Sequence, residues 1–221
     1  MTQKFTILFD LDGTLIDTAP DLIRAHNHVM KKFGYPTKKL GELKNAVGKG
    51  AKAMMAKANG QWKWFDEKIQ NEMTNEFLSY YGENILHESK LINGVKEFLN
   101  WCKKENISMA VCTNKTEYLA VDLLKKIGIY DYFEYVAGYN TFEYCKPDPR
   151  HLTTIIEILD GDINKSIMIG DSETDANAAK AAEIPIILLK YGYTEKKSDE
   201  IYHNHLIKDF VGIEKIVTKY L

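Results

Sequence analysis

Short apolar runs that alternate with amphipathic segments predict an α/β protein. The expected fold is a three-layer, Rossmann-like core around a mainly parallel sheet, with an all-helical cap inserted after the first strand. Three observations carry this expectation. Residues 5–9, 107–112, 132–137, 166–169 and 184–189 read as buried strands. Helical patterns near 115–127, 149–159 and 173–183 lie between the later strands. The alternation stops between about residues 17 and 90, where the patterns are helical only. The expected division is therefore a catalytic core over 1–16 and 86–221, and a helical cap over 17–85.

The first strand, Phe5-Thr6-Ile7-Leu8-Phe9, runs into Asp10-Leu11-Asp12-Gly13-Thr14. Thr18 is expected to cap a helix that reaches Phe33, and Gly34-Tyr35-Pro36 ends it by turn chemistry. Helical patterns follow near 39–45, 49–59 and 63–81. Asn93-Gly94 marks the return to the core, and 95–104 reads as its first helix. Residues 206–207 read as a last short strand, and 211–221 as a closing helix. In an open parallel sheet, right-handed crossovers place the carboxyl ends of the strands on one edge, and that edge holds the ligand.

Composition narrows the functional classes. The chain has 221 residues and a formal net charge of −2, so no strong field draws it to nucleic acid or an anionic membrane. Cys102, Cys112 and Cys145 show neither metal spacing nor an even count. No signal peptide is visible, and the apolar runs are too short to span a bilayer. A cytoplasmic protein, monomeric or homodimeric, is expected.

Polar groups stand where the strands end. Asp10 and Asp12 lie two residues apart and can point the same way, which is unfavourable unless a cation or a proton separates them. Thr113-Asn114 follows the second core strand. Lys146 sits in Cys145-Lys146-Pro147-Asp148-Pro149, where Pro147 keeps it out of the helical region. Asp171 follows the strand at 166–169, and Asp175 comes one helical turn later. Asp10, Asp12 and Asp171 offer hard oxygen ligands suited to Mg²⁺. Thr113 and Asn114 offer donors to an anion, and Lys146 offers a cation. Phosphoryl transfer to a carboxylate needs this set.

These four segments, in this order, resemble the four motifs of the haloacid dehalogenase-like hydrolase superfamily. Asp10-Leu11-Asp12-Gly13-Thr14 is similar to the first, Thr113 to the second, Lys146 to the third, and Gly170-Asp171-Ser172-Glu173-Thr174-Asp175 to the fourth. Within it the chain is most similar to bacterial phosphoglycolate phosphatases, through Val47-Gly48-Lys49-Gly50, Lys146-Pro147-Asp148-Pro149 and Tyr191-Gly192-Tyr193. The resemblance implies a Mg²⁺-dependent phosphomonoester hydrolase acting on 2-phosphoglycolate or a similar small phosphorylated metabolite. Asp10 would be the nucleophile and Asp12 the proton donor and acceptor. Asp10, Asp171 and the Asp12 carbonyl would hold Mg²⁺. Thr113, Asn114 and Lys146 would hold the phosphate, and Asp175 would orient Lys146 or metal-bound water.

Two other readings compete. A sugar-phosphate mutase of the same superfamily also keeps both aspartates, but often has valine where Thr14 stands. A phospho-accepting receiver domain combines similar groups, but needs no helical insertion. The family usually has glycine where Glu183 stands, so an altered helix C-terminus is expected there. If the substrate carries a carboxylate, a second cation must meet it; Lys49, Lys52 and Arg24 are the candidates. Thr113 alone also suits a helix N-cap. Trp62 and Trp64 read as packing, and His203 and His205 as a loop pair with little claim on a metal.

Overall fold

The computed structural model describes residues 4–43, 47, 50–58, 65–194 and 196–221. Six strands form one parallel sheet: β1 (Thr6–Phe9), β4 (Ser108–Cys112), β5 (Tyr135–Ala137), β6 (Ser166–Gly170), β7 (Ile186–Leu189) and β8 (His205–Ile207), in the order β5-β4-β1-β6-β7-β8. The strand order reverses beside β1, whose Phe9 pairs with Val111 on one side and Ile169 on the other. The chain just past Phe9 therefore lies at the switch point, where open sheets of this kind bind ligands.

Alternation along the strands builds the three layers. Ile7 and Phe9 point to one face and Leu8 to the other. Helices α5 (Val95–Lys104) and α6 (Glu117–Ile127) cover the first face, with Phe98, Leu99, Leu123 and Leu124 in its core. Helices α7 (Arg150–Ile158) and α8 (Glu173–Ala181) cover the second, with Leu152, Ile155, Ala176 and Ala179. Every one of these side chains is buried, which is why the strands read as continuous apolar runs.

Between the short antiparallel pair β2 (Ile16–Asp17) and β3 (Lys90–Leu91) the described elements are helical: α1 (Ala19–Lys32), α2 (Leu40–Leu43), α3 (Ala51–Ala58) and α4 (Glu67–Glu83). Helices α1 and α4 pack on each other, and Leu22, Met55, Phe77 and Tyr81 join the first core face. Asp66 caps α4 by accepting from the Ile69 amide at 2.8 Å. The β2–β3 pair is two residues long on each side, too short to leave a periodic signal.

Two boundaries differ from expectation. The closing helix shrinks to α9 (Glu214–Val217), because Gly212 takes a left-handed φ of 80° that cannot belong to a helix. The 132–137 run splits into a 3₁₀ turn (Tyr130–Tyr132) and β5. Glu183 corrects another expectation. It holds φ at 56°, the left-handed conformation that glycine adopts most easily, and the C-terminal geometry of α8 is kept. Its N–H donates to the Lys180 carbonyl and that of Ile184 to Ala179, the paired bonds of a Schellman ending.

Candidate active site

The turn after β1 sets the site. Gly13 has φ of 89°, and a Cβ there would run into the Asp171 carboxylate and the Tyr193 ring. Only glycine lets the two strand ends approach this closely. Thr14 Oγ1 donates to Asp171 Oδ1 at 3.0 Å, and the Tyr193 amide donates to Asp171 Oδ2 at 2.6 Å. The Tyr193 hydroxyl donates to Asp17 and accepts from the Ala19 amide, tying the β7 side of the sheet to the start of α1.

Asp10, Asp171 and Asp175 each bring an oxygen into one cluster whose atoms lie within 4.8 Å of one another, all buried. Lys146, 3% exposed, donates to Asp10 Oδ1 at 2.8 Å and to Asp175 Oδ1 at 2.6 Å. The other oxygen of Asp175 accepts from the Ser172 amide and hydroxyl, so Asp175 both caps α8 and fixes Lys146. Burial, with Asp175 and Asp12 nearby, raises the Asp10 carboxyl to about 6 against the pull of Lys146. Burial and the same crowding push Asp171 well above the carboxylate range. Burial works to lower the Lys146 ammonium, but Asp10 and Asp175 outweigh it and hold its pKa above the usual value. Three buried carboxylates facing one ammonium leave a deficit of positive charge. Their hard oxygens fit a divalent cation such as Mg²⁺. A cavity of about 10 Å³, roughly one water molecule's worth, opens among Asp10, Lys146, Asp171 and Asp175.

Asp12 faces elsewhere. Lys115, 7% exposed, donates to Asp12 Oδ1 at 2.8 Å and Oδ2 at 3.1 Å, and to the Tyr81 hydroxyl at 2.8 Å. Its ammonium also sits 4.5 Å from the centre of the Tyr81 ring. Thr18 Oγ1 donates to Asp12 Oδ1 at 2.7 Å and makes no bond to its own helix, so its hydroxyl serves the carboxylate instead of the expected cap. Asp12 and Lys115 line a second cavity, of about 40 Å³, with Leu22, Met54, Phe77 and Leu119. Each of the two aspartates thus has its own lysine and its own cavity, and Val47 lines both cavities.

The remaining expected residues fall as follows. Thr113 is buried at the end of β4 and accepts from the Lys115 amide at 3.2 Å; α6 begins at Glu117 with Thr116 as its N-cap, so Thr113 caps no helix. The Asn114 amide donates to the Lys146 carbonyl at 2.8 Å, which binds the two loops together. Arg24 pairs with Asp21 at 3.0 Å and with the Asn84 carbonyl, and Lys52 is exposed on α3; neither lines the two cavities. Lys49, Trp62 and Trp64 lie outside the described residues. His203 and His205 bond to the Ile201 carbonyl and the Tyr220 hydroxyl, respectively. Burial pushes the Cys112 thiol up to about 12, which suits an inert core residue.

Sequence reasoning missed Lys115, Tyr81 and His151. The His151 Nδ1 accepts from the Lys146 amide at 3.1 Å and so positions the lysine's backbone. Burial, together with the Lys146 charge, lowers the imidazole to about 4, which keeps that nitrogen free to accept. A signal for Lys115 was present: it follows Thr113-Asn114 in the same strand-end loop.

Residues 7–189 match the model of the haloacid dehalogenase-like hydrolases. The chain belongs to this family. A phosphoglycolate phosphatase of Agrobacterium fabrum is 38% identical over 96% of this chain and 94% of its own. One from Mesorhizobium japonicum is 37% identical over 92% and 90%. The crystal structure of a predicted phosphoglycolate phosphatase from Haemophilus somnus superposes with a TM-score of 0.91 at 29% identity, covering 98% of this chain and 99% of that one. The chain is a phosphatase of this family. Among the described residues, no helix is long and apolar enough to cross a membrane.

Proposed function

We propose that the protein hydrolyses 2-phosphoglycolate to glycolate and inorganic phosphate through an aspartyl-phosphate on Asp10. The observation that carries this reading is the split of the two aspartates, Asp10 onto Lys146 in the charged cluster and Asp12 onto the half-apolar cavity beside it. An Asp10 oxygen attacks phosphorus, and the bond to the ester oxygen breaks. Asp12 gives its proton to the departing alkoxide. Asp12 then takes a proton from water, whose oxygen attacks the phosphoryl group, releasing phosphate and restoring Asp10. Lys146 offsets charge on the phosphoryl oxygens, and Thr113 and Asn114 would donate to them.

Asp10, Asp171 and the Asp12 carbonyl would hold Mg²⁺, with Asp175 behind them. When bound, the ion supplies positive charge against the phosphoryl oxygens. Residues 17–85 would form the cap that closes over the leaving group and excludes water. The cavity beside Asp12, of about 40 Å³, suits a small leaving group. The names of the similar proteins support the same substrate.

The test is phosphate release from a panel holding 2-phosphoglycolate, β-glucose 1-phosphate and p-nitrophenyl phosphate, with and without Mg²⁺. Mg²⁺-dependent release, highest for 2-phosphoglycolate, is expected. Isomerised sugar phosphate without net phosphate release would instead mark a mutase.

A further inference from the structure

Lys115 lies among residues that do not suit a lysine. Its ammonium is buried at a cavity whose other walls are largely apolar, when a lysine in a loop can ordinarily carry its charge to water. Burying it is costly unless its partners offset the loss. The Tyr81 hydroxyl and ring face hold it from α4, and Asp12 holds it from the other side. The three ammonium donors are directed to the two Asp12 oxygens and the Tyr81 hydroxyl, while the side chain itself lines the cavity, so its positive charge borders whatever occupies that space.

We infer that Lys115 is the specificity-determining residue for an anionic leaving group: it meets the carboxylate of a short phosphorylated acid whose apolar carbon lies against Phe77 and Leu119. This rests on the phosphatase reading above and adds to it the class of leaving group and the residue that selects it. Among the described residues, Lys115 is the cation that lines this cavity; Arg24 and Lys52 do not. The cavity, about 40 Å³, suits a short acid that brings its carboxylate to Lys115. Tyr81 is a positioning residue, since it acts on the substrate only by fixing the Lys115 ammonium.

The test compares kcat/KM for 2-phosphoglycolate with that for its neutral amide, of nearly the same shape. Wild-type enzyme should prefer the acid by about 100-fold, because a built polar contact left unpaired is costly. Lys115→Met should bring that ratio to within about threefold, and Tyr81→Phe to an intermediate value with KM affected more than kcat. Both substrates are read on one preparation, so loss of folded protein cancels in the ratio. If Lys115→Met yields no soluble protein, Lys115→Gln serves the same comparison. A wild-type ratio near one overturns the inference, as does a ratio unchanged by the Lys115 substitutions. Enzyme that turns over p-nitrophenyl phosphate but neither member of the pair also overturns it, and leaves the phosphatase reading standing. Asp10→Asn with full p-nitrophenyl phosphate turnover would defeat that reading instead.

Discussion

The two cavities that share Val47 are built on different principles. The smaller is walled by charge: Asp10 and Asp171 at strand ends, Asp175 on the first turn of α8, and Lys146 in the loop before α7. The larger is walled by apolar side chains from α1, α3, α4 and α6, with Asp12 and Lys115 as its charged pair. The first can be rigid because the sheet determines it. The second takes much of its shape from helices inserted between β2 and β3, so that part of its wall can change without disturbing the first. On the proposed function, reaction chemistry belongs to the charged cavity at the sheet edge, and substrate choice to the larger cavity, where Lys115 from the β4–α6 loop meets the inserted helices.

Substitution on the charged side should have the largest effect. Asp10→Asn should lower phosphate release by at least about 10⁴-fold with Mg²⁺ present, as expected for a lost nucleophile. Residual turnover near the wild-type rate would break the division. Lys146→Met should cost activity and also roughly 3–5 kcal/mol of stability, because it leaves Asp10 and Asp175 buried without their cation. Chemical denaturation with and without Mg²⁺ checks this, and added metal should recover part of the loss.

The pH dependence of the metal-free protein separates the regions further. The Asp10 and Asp171 carboxyls titrate higher when folded than when unfolded. Their contribution to stability is full below the unfolded value near 4 and is lost as pH rises through the folded one, about 6 for Asp10. The metal-free melting temperature should therefore gain from acidification between about pH 7 and 5 at this site. Mg²⁺ should raise it more at pH 8 than at pH 5, because protons compete for the same oxygens. An equal Mg²⁺ shift at both values would place the metal elsewhere.

The smallest effect belongs to a position remote from both cavities. Glu183→Gly should stabilise the protein by about 1 kcal/mol, by relieving a left-handed side-chain residue at an exposed helix end. Turnover should not change, and urea denaturation beside a standard assay reads both. A large change in activity would mean that the end of α8 reports to Asp175 and the charged cavity.

The same division explains what was legible in the sequence. Asp10, Asp171 and Lys146 were visible because each follows a strand or stands in a proline-set turn, and local pattern fixes such places. The parallel sheet was legible for the same reason, since Ile7, Leu8 and Phe9 are buried on both faces. Lys115 was legible as the neighbour of Thr113-Asn114, but its pairing within the site was not. Its partners Tyr81 and Asp12 lie 34 and 103 residues away, and no local spacing encodes such pairings. Thr18 was read as a helix cap because its position suits one; only the fold shows its hydroxyl turned to Asp12. Arg24 and Lys52 were reasonable cations by composition, but neither lines the cavity.

The most direct test of the division between Asp10 and Asp12 is an acid quench of the Asp12→Asn variant during turnover of p-nitrophenyl phosphate, followed by peptide mass spectrometry. This leaving group departs without a proton, so attack proceeds while water activation by Asp12 is lost. The account predicts that a phosphoryl group accumulates on Asp10. A label on any other residue, or none while turnover continues, would contradict it.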